Sequence, residues 1–240
     1  MVIFLRCNTN NRATTVLQDF LRGCELFGLP SRVRADYGGE NVDVASYMLE
    51  VRGTGRGTFL TGASVHNQRI ERLWRDVGRL TIKRYRMLFT AMENQGLLNQ
   101  DNRLHRMAPH FVYRPRIQRS LDEFALTWNY HKIDTERNRT PRQLFIDAAF
   151  SAPGIAGDDP EVVDTEYGME EGNTWDDISE VDAEDAISDV DAVELDDVLG
   201  DDSNIVNMLC LEINPLDEDD EDGVLWYRHA VDLLEHSIAE

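Results

Sequence analysis

Two carboxylates stand where this chain could hold a cation. Asp36 ends a β-prone run, "SRVRAD", just before a Gly-Gly turn, and Glu71 lies in "HNQRIERLWRDV", whose spacing predicts a helix. In open α/β sheets, ligand groups gather beyond the carboxyl ends of the strands. A strand-end Asp and a helix Glu could each give oxygen donors to a hard divalent ion. Each also has a plainer local reading. Asp36 could form the turn, and Glu71 could pair with Arg75 at i+4, worth about 0.2–0.5 kcal/mol. Glu40 and Asp43 are near Asp36 in sequence but follow the strand, so neither is expected to share its role.

The Glu71 helix is predicted over residues 66–94. At about 100° per residue, Ile70, Leu73, Trp74, Val77, Leu80 and Thr81 fall on one side, with Gln68, Arg72, Arg75 and Arg79 opposite. Asn67, Glu71 and Gly78 line the border, where a side chain can reach a cleft at the edge of a core. The elements needed to hold this helix follow from local signals. Residues 2–6 read as a strand. Residues 13–27 read as a helix with Val16, Phe20, Leu21 and Cys24 on one side and Gly28 as its stop. "SRVRAD" reads as a second strand, "NVDVASYMLEVRG" as a short helix and "RGTFLTG" as a short strand or extended segment. A long helical stretch over residues 102–130 is expected to break near Pro115, and "TPRQLFIDAAF" opens with Thr140 as N-cap and Pro141 at the first helical position. Strand, helix, strand in this order predicts a parallel crossover and an α/β class.

Charge divides the 240 residues unevenly. The net charge is −21, yet residues 1–150 hold 23 Lys and Arg against 15 Asp and Glu, and the remainder holds one against 30. Three regions are therefore expected: a globular domain over residues 1–150, an acidic disordered region over 151–222, and an amphipathic C-terminal helix over 223–240. Within the acidic region, "AISDVDAVELDDVLGDDSNIVNMLCLEIN" interleaves apolar residues with acids, either as a solvating tail or as a segment that folds on a protein partner. The last helix carries a stripe of Val224, Tyr227, Val231, Leu234 and Ile238, suited to docking or to packing back on the domain. In the basic part only Lys83 and Lys132 are lysines. Arginine's planar fork suits phosphates, which favours a nucleic-acid partner, with Arg69, Arg72, Arg75, Arg79 and Lys83 as candidate contacts.

Cys7, Cys24 and Cys210 are too widely spaced for a disulfide framework or zinc site, and His105 with His110 lacks cysteine partners. "RGTGRGTF" lacks the Lys-Ser/Thr ending of a phosphate loop. No signal peptide or membrane span is expected, and an intracellular location is, with the nucleus favoured over the cytoplasm.

Taken together, "RVRADYGGEN" and "HNQRIERLWRDV" resemble the Asp-x-Gly-x-Glu segment and the Asn-x-x-x-Glu-Arg helix of the integrase catalytic core. That is the ribonuclease-H-like domain of retroviral integrases and related transposases. The chain is most similar to the integrase-core proteins of animal genomes, which share "LPSRVRADYGGENV", "VHNQRIERLWRDV" and "RTPRQLFI"; the likeness covers roughly residues 1–148. It implies a partial ribonuclease-H-like fold, a short sheet flanked by helices. It implies that Asp36 and Glu71 are the second and third acids of an Asp, Asp, Glu triad that binds two Mg2+ (or Mn2+) ions, supported by Asn67 and Gly38. It also places "MVIFLRC" at the family's third strand, so the first strands and first acid are expected to be absent. The expected function is a mobile-element-derived DNA-binding domain, related to a metal-dependent polynucleotidyl transferase but inactive with an incomplete triad. The alternative is a non-catalytic protein-interaction module with a recruiting or autoinhibitory acidic tail.

Overall fold

The computed structural model describes residues 1–36, 38–55, 57–61, 68–151 and 203–239. They form two compact units, divided within a helix after Glu71. One is Asn11–Glu71; the other joins Met1–Asn10, Arg72–Ser151 and residues 203–239. The fold is mostly helical, with one two-stranded parallel sheet.

In the first unit, α1 (Ala13–Phe27) ends at Gly28, whose φ of 84° suits a residue without a Cβ. The chain then makes β1 (Val33–Ala35), a 3-10 turn (Gly39–Asn41), α2 (Val42–Arg52) and β2 (Phe59–Thr61). Parallel strands need a crossover, and α2 supplies it: Val33 stands opposite Phe59 and Ala35 opposite Thr61. Strands this short need outside support. Arg52, at the end of α2, donates to Leu29 O at 2.6 Å and Pro30 O at 3.3 Å, just ahead of β1. The buried Thr58 hydroxyl donates to Gly53 O at 2.8 Å, just ahead of β2. Behind the crossover α1 packs on α2, with the Phe20 and Tyr47 rings edge to face at 6.3 Å.

In the second unit the expected strand over residues 2–6 does not form. The segment instead runs along α5 (Arg103–Tyr130), where two side-chain amides replace a neighbouring strand. Asn129 accepts from Val2 N–H at 2.7 Å and donates to Val2 O at 2.8 Å. Gln118 accepts from Cys7 N–H at 2.9 Å and donates to Leu5 O at 3.0 Å. The backbone polar groups that a strand would have paired are thus met from a helix. Leu5 is buried with Val77, Leu121 and Phe124.

One continuous helix has three parts: α3 (Gln68–Val77), a π segment (Gly78–Ile82) and α4 (Lys83–Asn94). The expected break of α5 near Pro115 is also absent, since the helix passes Pro109 and Pro115 intact. A mid-helix proline costs about 3 kcal/mol. Here Ala108, Val112 and Tyr113 are buried in one cluster and Leu121 and Phe124 in another, and that burial outweighs it. α6 (Pro141–Ser151) begins with a capping box: Gln143 N–H donates to Thr140 Oγ1 at 3.1 Å, and Thr140 N–H donates to Gln143 Oε1 at 2.9 Å.

Of the acidic stretch expected to be disordered, residues 152–202 lie outside the described residues, but α7 (Ser203–Glu212) is helical and buries Leu209. α8 (Val224–Ala239) follows a short acidic loop. Its Val224, Tyr227, Ala230, Val231 and Leu234 join Tyr85 and Met92 of α4 and Met107, Val112 and Tyr113 of α5 in the larger core. The Ile238 side chain lies outside the described residues. Tyr227 also donates to Leu97 O at 2.9 Å. Among the described residues no helix is long and apolar enough to cross a membrane.

Candidate functional site

β1 ends at Ala35, so Asp36 stands exposed just past the strand's carboxyl end. Its partner is local: Asn41 Nδ2 donates to Asp36 Oδ1 at 3.0 Å and to Glu40 Oε1 at 3.5 Å. A Cβ on Gly38 would collide with the Glu40 carboxylate, so glycine there lets Glu40 fold back over the turn. Asp36 and Glu40 therefore share one amide. The sequence carried only a weak signal of this, two acids flanking a Gly-Gly pair.

Glu71 is exposed in the first turn of α3. Among the described residues no ion pair joins it to Arg75; the pair formed on this helix is Arg79–Asp76 at 3.5 Å. A carboxylate in the first turn is favoured by the partial positive charge of the helix N-terminus, worth about 0.3–1 kcal/mol. Arg72, Arg75, Arg79 and Lys83 are all exposed. Arg69 belongs to the first turn of α3, whereas His66 and Asn67 lie outside the described residues.

The predicted apolar face is only partly covered. Val77 and Thr81 are buried and Leu73 is half-buried, but Ile70, Trp74 and Leu80 are exposed. Among the described residues, residues 1–7 and α5 cover α3 along Leu73 and Val77. Past Val77 the i→i+5 bonding of the π segment shifts the register, so burial proceeds from Val77 to Thr81 to Tyr85 and Leu80 turns outward.

Among the described residues, no three His, Cys, Asp or Glu side chains converge as a metal site. Asp36 and Glu40 offer two carboxylates on one amide, fewer donors than a hard divalent ion needs when two ions must be held in fixed geometry. Among the described residues, the side chains do not assemble the two-ion centre that the family resemblance implies. The histidines serve otherwise: His105 Nδ1 is 3.0 Å from Tyr227 Oη, and burial, then the Arg114 charge, lowers the pKa of His110. Burial raises the pKa of the Cys7 thiol, with Arg114 pulling the other way.

Neutralising the two acids tests whether they face each other. Glu71→Gln is expected to cost about 0.3–1 kcal/mol through the lost helix-terminus interaction. Asp36→Asn is expected to cost about 0.5–1.5 kcal/mol through weakening of the bond from Asn41. Thermal melts in EDTA check both, and a rise in Tm for either variant would instead reveal two like charges held close.

The described residues form two mostly helical units, with a strand-end carboxylate turn and, further along the chain, an exposed arginine-rich helix. The chain matches the Integrase core domain family model over residues 1–156, and it belongs to that family. No curated protein and no solved structure matches it. The matched region stops short of α7 and α8, which nonetheless fill its larger core.

Proposed function

We propose that the chain is a mobile-element-derived, integrase-core DNA-binding domain that does not cut or join DNA by itself. Family membership over residues 1–156 is the observation that carries this reading. On it, the β1–α2–β2 unit is part of a ribonuclease-H-like sheet. Asp36 and Glu71 answer to the second and third acids, Gly38 and Asn67 support them, and Arg69, Arg72, Arg75, Arg79 and Lys83 meet phosphates. A complete family member would use Mg2+ or Mn2+ held by three carboxylates, of which Asp36 and Glu71 would supply two. A DNA partner also fits a nuclear location.

The experiment is to incubate the full chain with oligonucleotide duplexes and Mg2+ or Mn2+. No nicking or strand transfer is expected, while DNA binding weakens steeply with salt. Arg75→Ala and Arg79→Ala should each lower the salt slope by about one. Turnover abolished by Asp36→Asn would show an active enzyme, and salt-independent affinity would remove the phosphate role.

One observation favours the second reading, a tail that regulates or recruits. The loop between α7 and α8 pairs Asp222 with Arg84 and Asp219 with Arg116, so part of the acidic segment already sits on arginines of the basic body.

A further inference from the structure

Trp74 is half exposed on α3, with 50% of its surface open. Gly78 follows it by one turn and opens the π segment. A Cβ at Gly78 would meet no atom within 4 Å, and its backbone is not left-handed, so neither crowding nor conformation requires glycine there. Glycine inside a helix is destabilising relative to alanine. Local rules are broken most often at functional sites, and π segments are frequent there. Helical side chains lean toward the N-terminus, so a side chain at position 78 would lie back over residue 74. With glycine there, no side chain at position 78 covers the helix surface on that side of Trp74.

The surroundings select what could rest on this open surface. Over residues 72–83 the helix carries Arg72, Arg75, Arg79 and Lys83 against one acid, Asp76, which is paired with Arg79. A purely apolar protein surface leaves four cations unmatched, whereas a polyanion with flat aromatic groups is complementary to both features. We propose that Trp74 is a stacking platform for an unpaired nucleic-acid base, with Arg75 and Arg79 holding the adjoining phosphates. The helix would then prefer single strands or frayed ends to intact duplex, whose bases are already stacked on one another. The inference rests on the DNA-binding reading above and adds a preference that arginines alone would not create.

The test uses the full chain and three labelled DNAs: single-stranded oligothymidylate, a blunt duplex, and the same duplex with a single-stranded overhang. Affinities come from fluorescence anisotropy, with a thermal melt recorded for every variant. The parent should bind the oligothymidylate and the overhang more tightly than the blunt duplex. Trp74→Ala should weaken those two by about tenfold and leave the blunt duplex unchanged, while Trp74→Phe keeps most of the affinity. Gly78→Leu should raise the melting temperature yet lower affinity for the oligothymidylate, because it places a side chain over the helix surface beside Trp74. Equal losses on all three DNAs, full affinity in Trp74→Ala, or no preference in the parent would overturn the stacking role. If the parent binds the blunt duplex in a salt-dependent way and only the Trp74 effects fail, the DNA-binding reading survives without this one. If it binds none of the three, both fall.

Discussion

A chain ending at Ser151 is expected to lose the fold of its larger unit, even though it would retain nearly all of the region matched to the Integrase core domain family. α7 and α8 supply Leu209, Tyr227, Ala230 and Leu234 to the core, and without them Tyr85, Met92, Val112 and Tyr113 would face water. Large-to-small changes at such sites cost about 2–5 kcal/mol each. Losing several together exceeds the roughly 5–15 kcal/mol that keeps a domain folded. The shortened chain should bind a hydrophobic dye and show no cooperative melt, and Leu234→Ala in the full chain should lower stability by about 2–5 kcal/mol. A sharp two-state melt of the shortened chain would show that the C-terminal helices are accessory. Until then, DNA-binding experiments belong on the full chain. The effect of its acidic residues is better probed by neutralising them than by removing the segment that carries them.

Asp219→Ala is the single substitution expected to do the most damage. The Asp219 side chain is 1% exposed and that of Arg116 16%, with 3.8 Å between Oδ1 and Nη2. Oδ1 accepts from Gly223 N–H at 2.7 Å and Oδ2 from Leu225 N–H at 3.2 Å, so the carboxylate satisfies backbone donors at the start of α8, where negative charge is favoured. Arg116 Nε is already buried with no partner among the described residues, so the loss of Asp219 would leave that guanidinium poorly compensated. Breaking a buried pair from one side costs about 3–5 kcal/mol. The exposed Arg84–Asp222 pair is the control, and Asp222→Ala should cost about 1 kcal/mol or less. Urea unfolding of both variants decides it: equal losses would mean that burial does not distinguish the two pairs. Gly223 belongs to the same arrangement. Its φ is 96°, and a Cβ there would lie 2.9 Å from Arg116 Nε and 3.1 Å from Tyr113 Cε1.

The sequence by itself determined what depends on neighbours within a turn or two. α1 runs between the expected bounds to Gly28, Thr140 and Pro141 open α6, and the spacing of Val224, Tyr227, Val231 and Leu234 marks the buried face of α8. β1 and β2 were legible as short β-prone runs, and Asp36 as a residue at the end of the first, one position past its last strand residue, Ala35. Each rests on periodicity, a cap or a stop, and these act over a few residues.

The tertiary structure alone decided which surface meets each face. Residues 2–6 are apolar enough to be buried, but nothing near them indicates that Asn129 and Gln118, rather than a strand, will take their backbone groups. Pro115 reads locally as a break and is overruled by cores packed on both stretches of α5. Ile70 and Trp74 belong to a face that would suit a core, yet among the described residues the covering surface reaches Leu73 and Val77. Asp219 is one acid among many in its loop until Arg116 and the start of α8 enclose it. In each case the deciding partner is far away in the chain, and a contact between distant residues leaves no periodic trace in the sequence of either one.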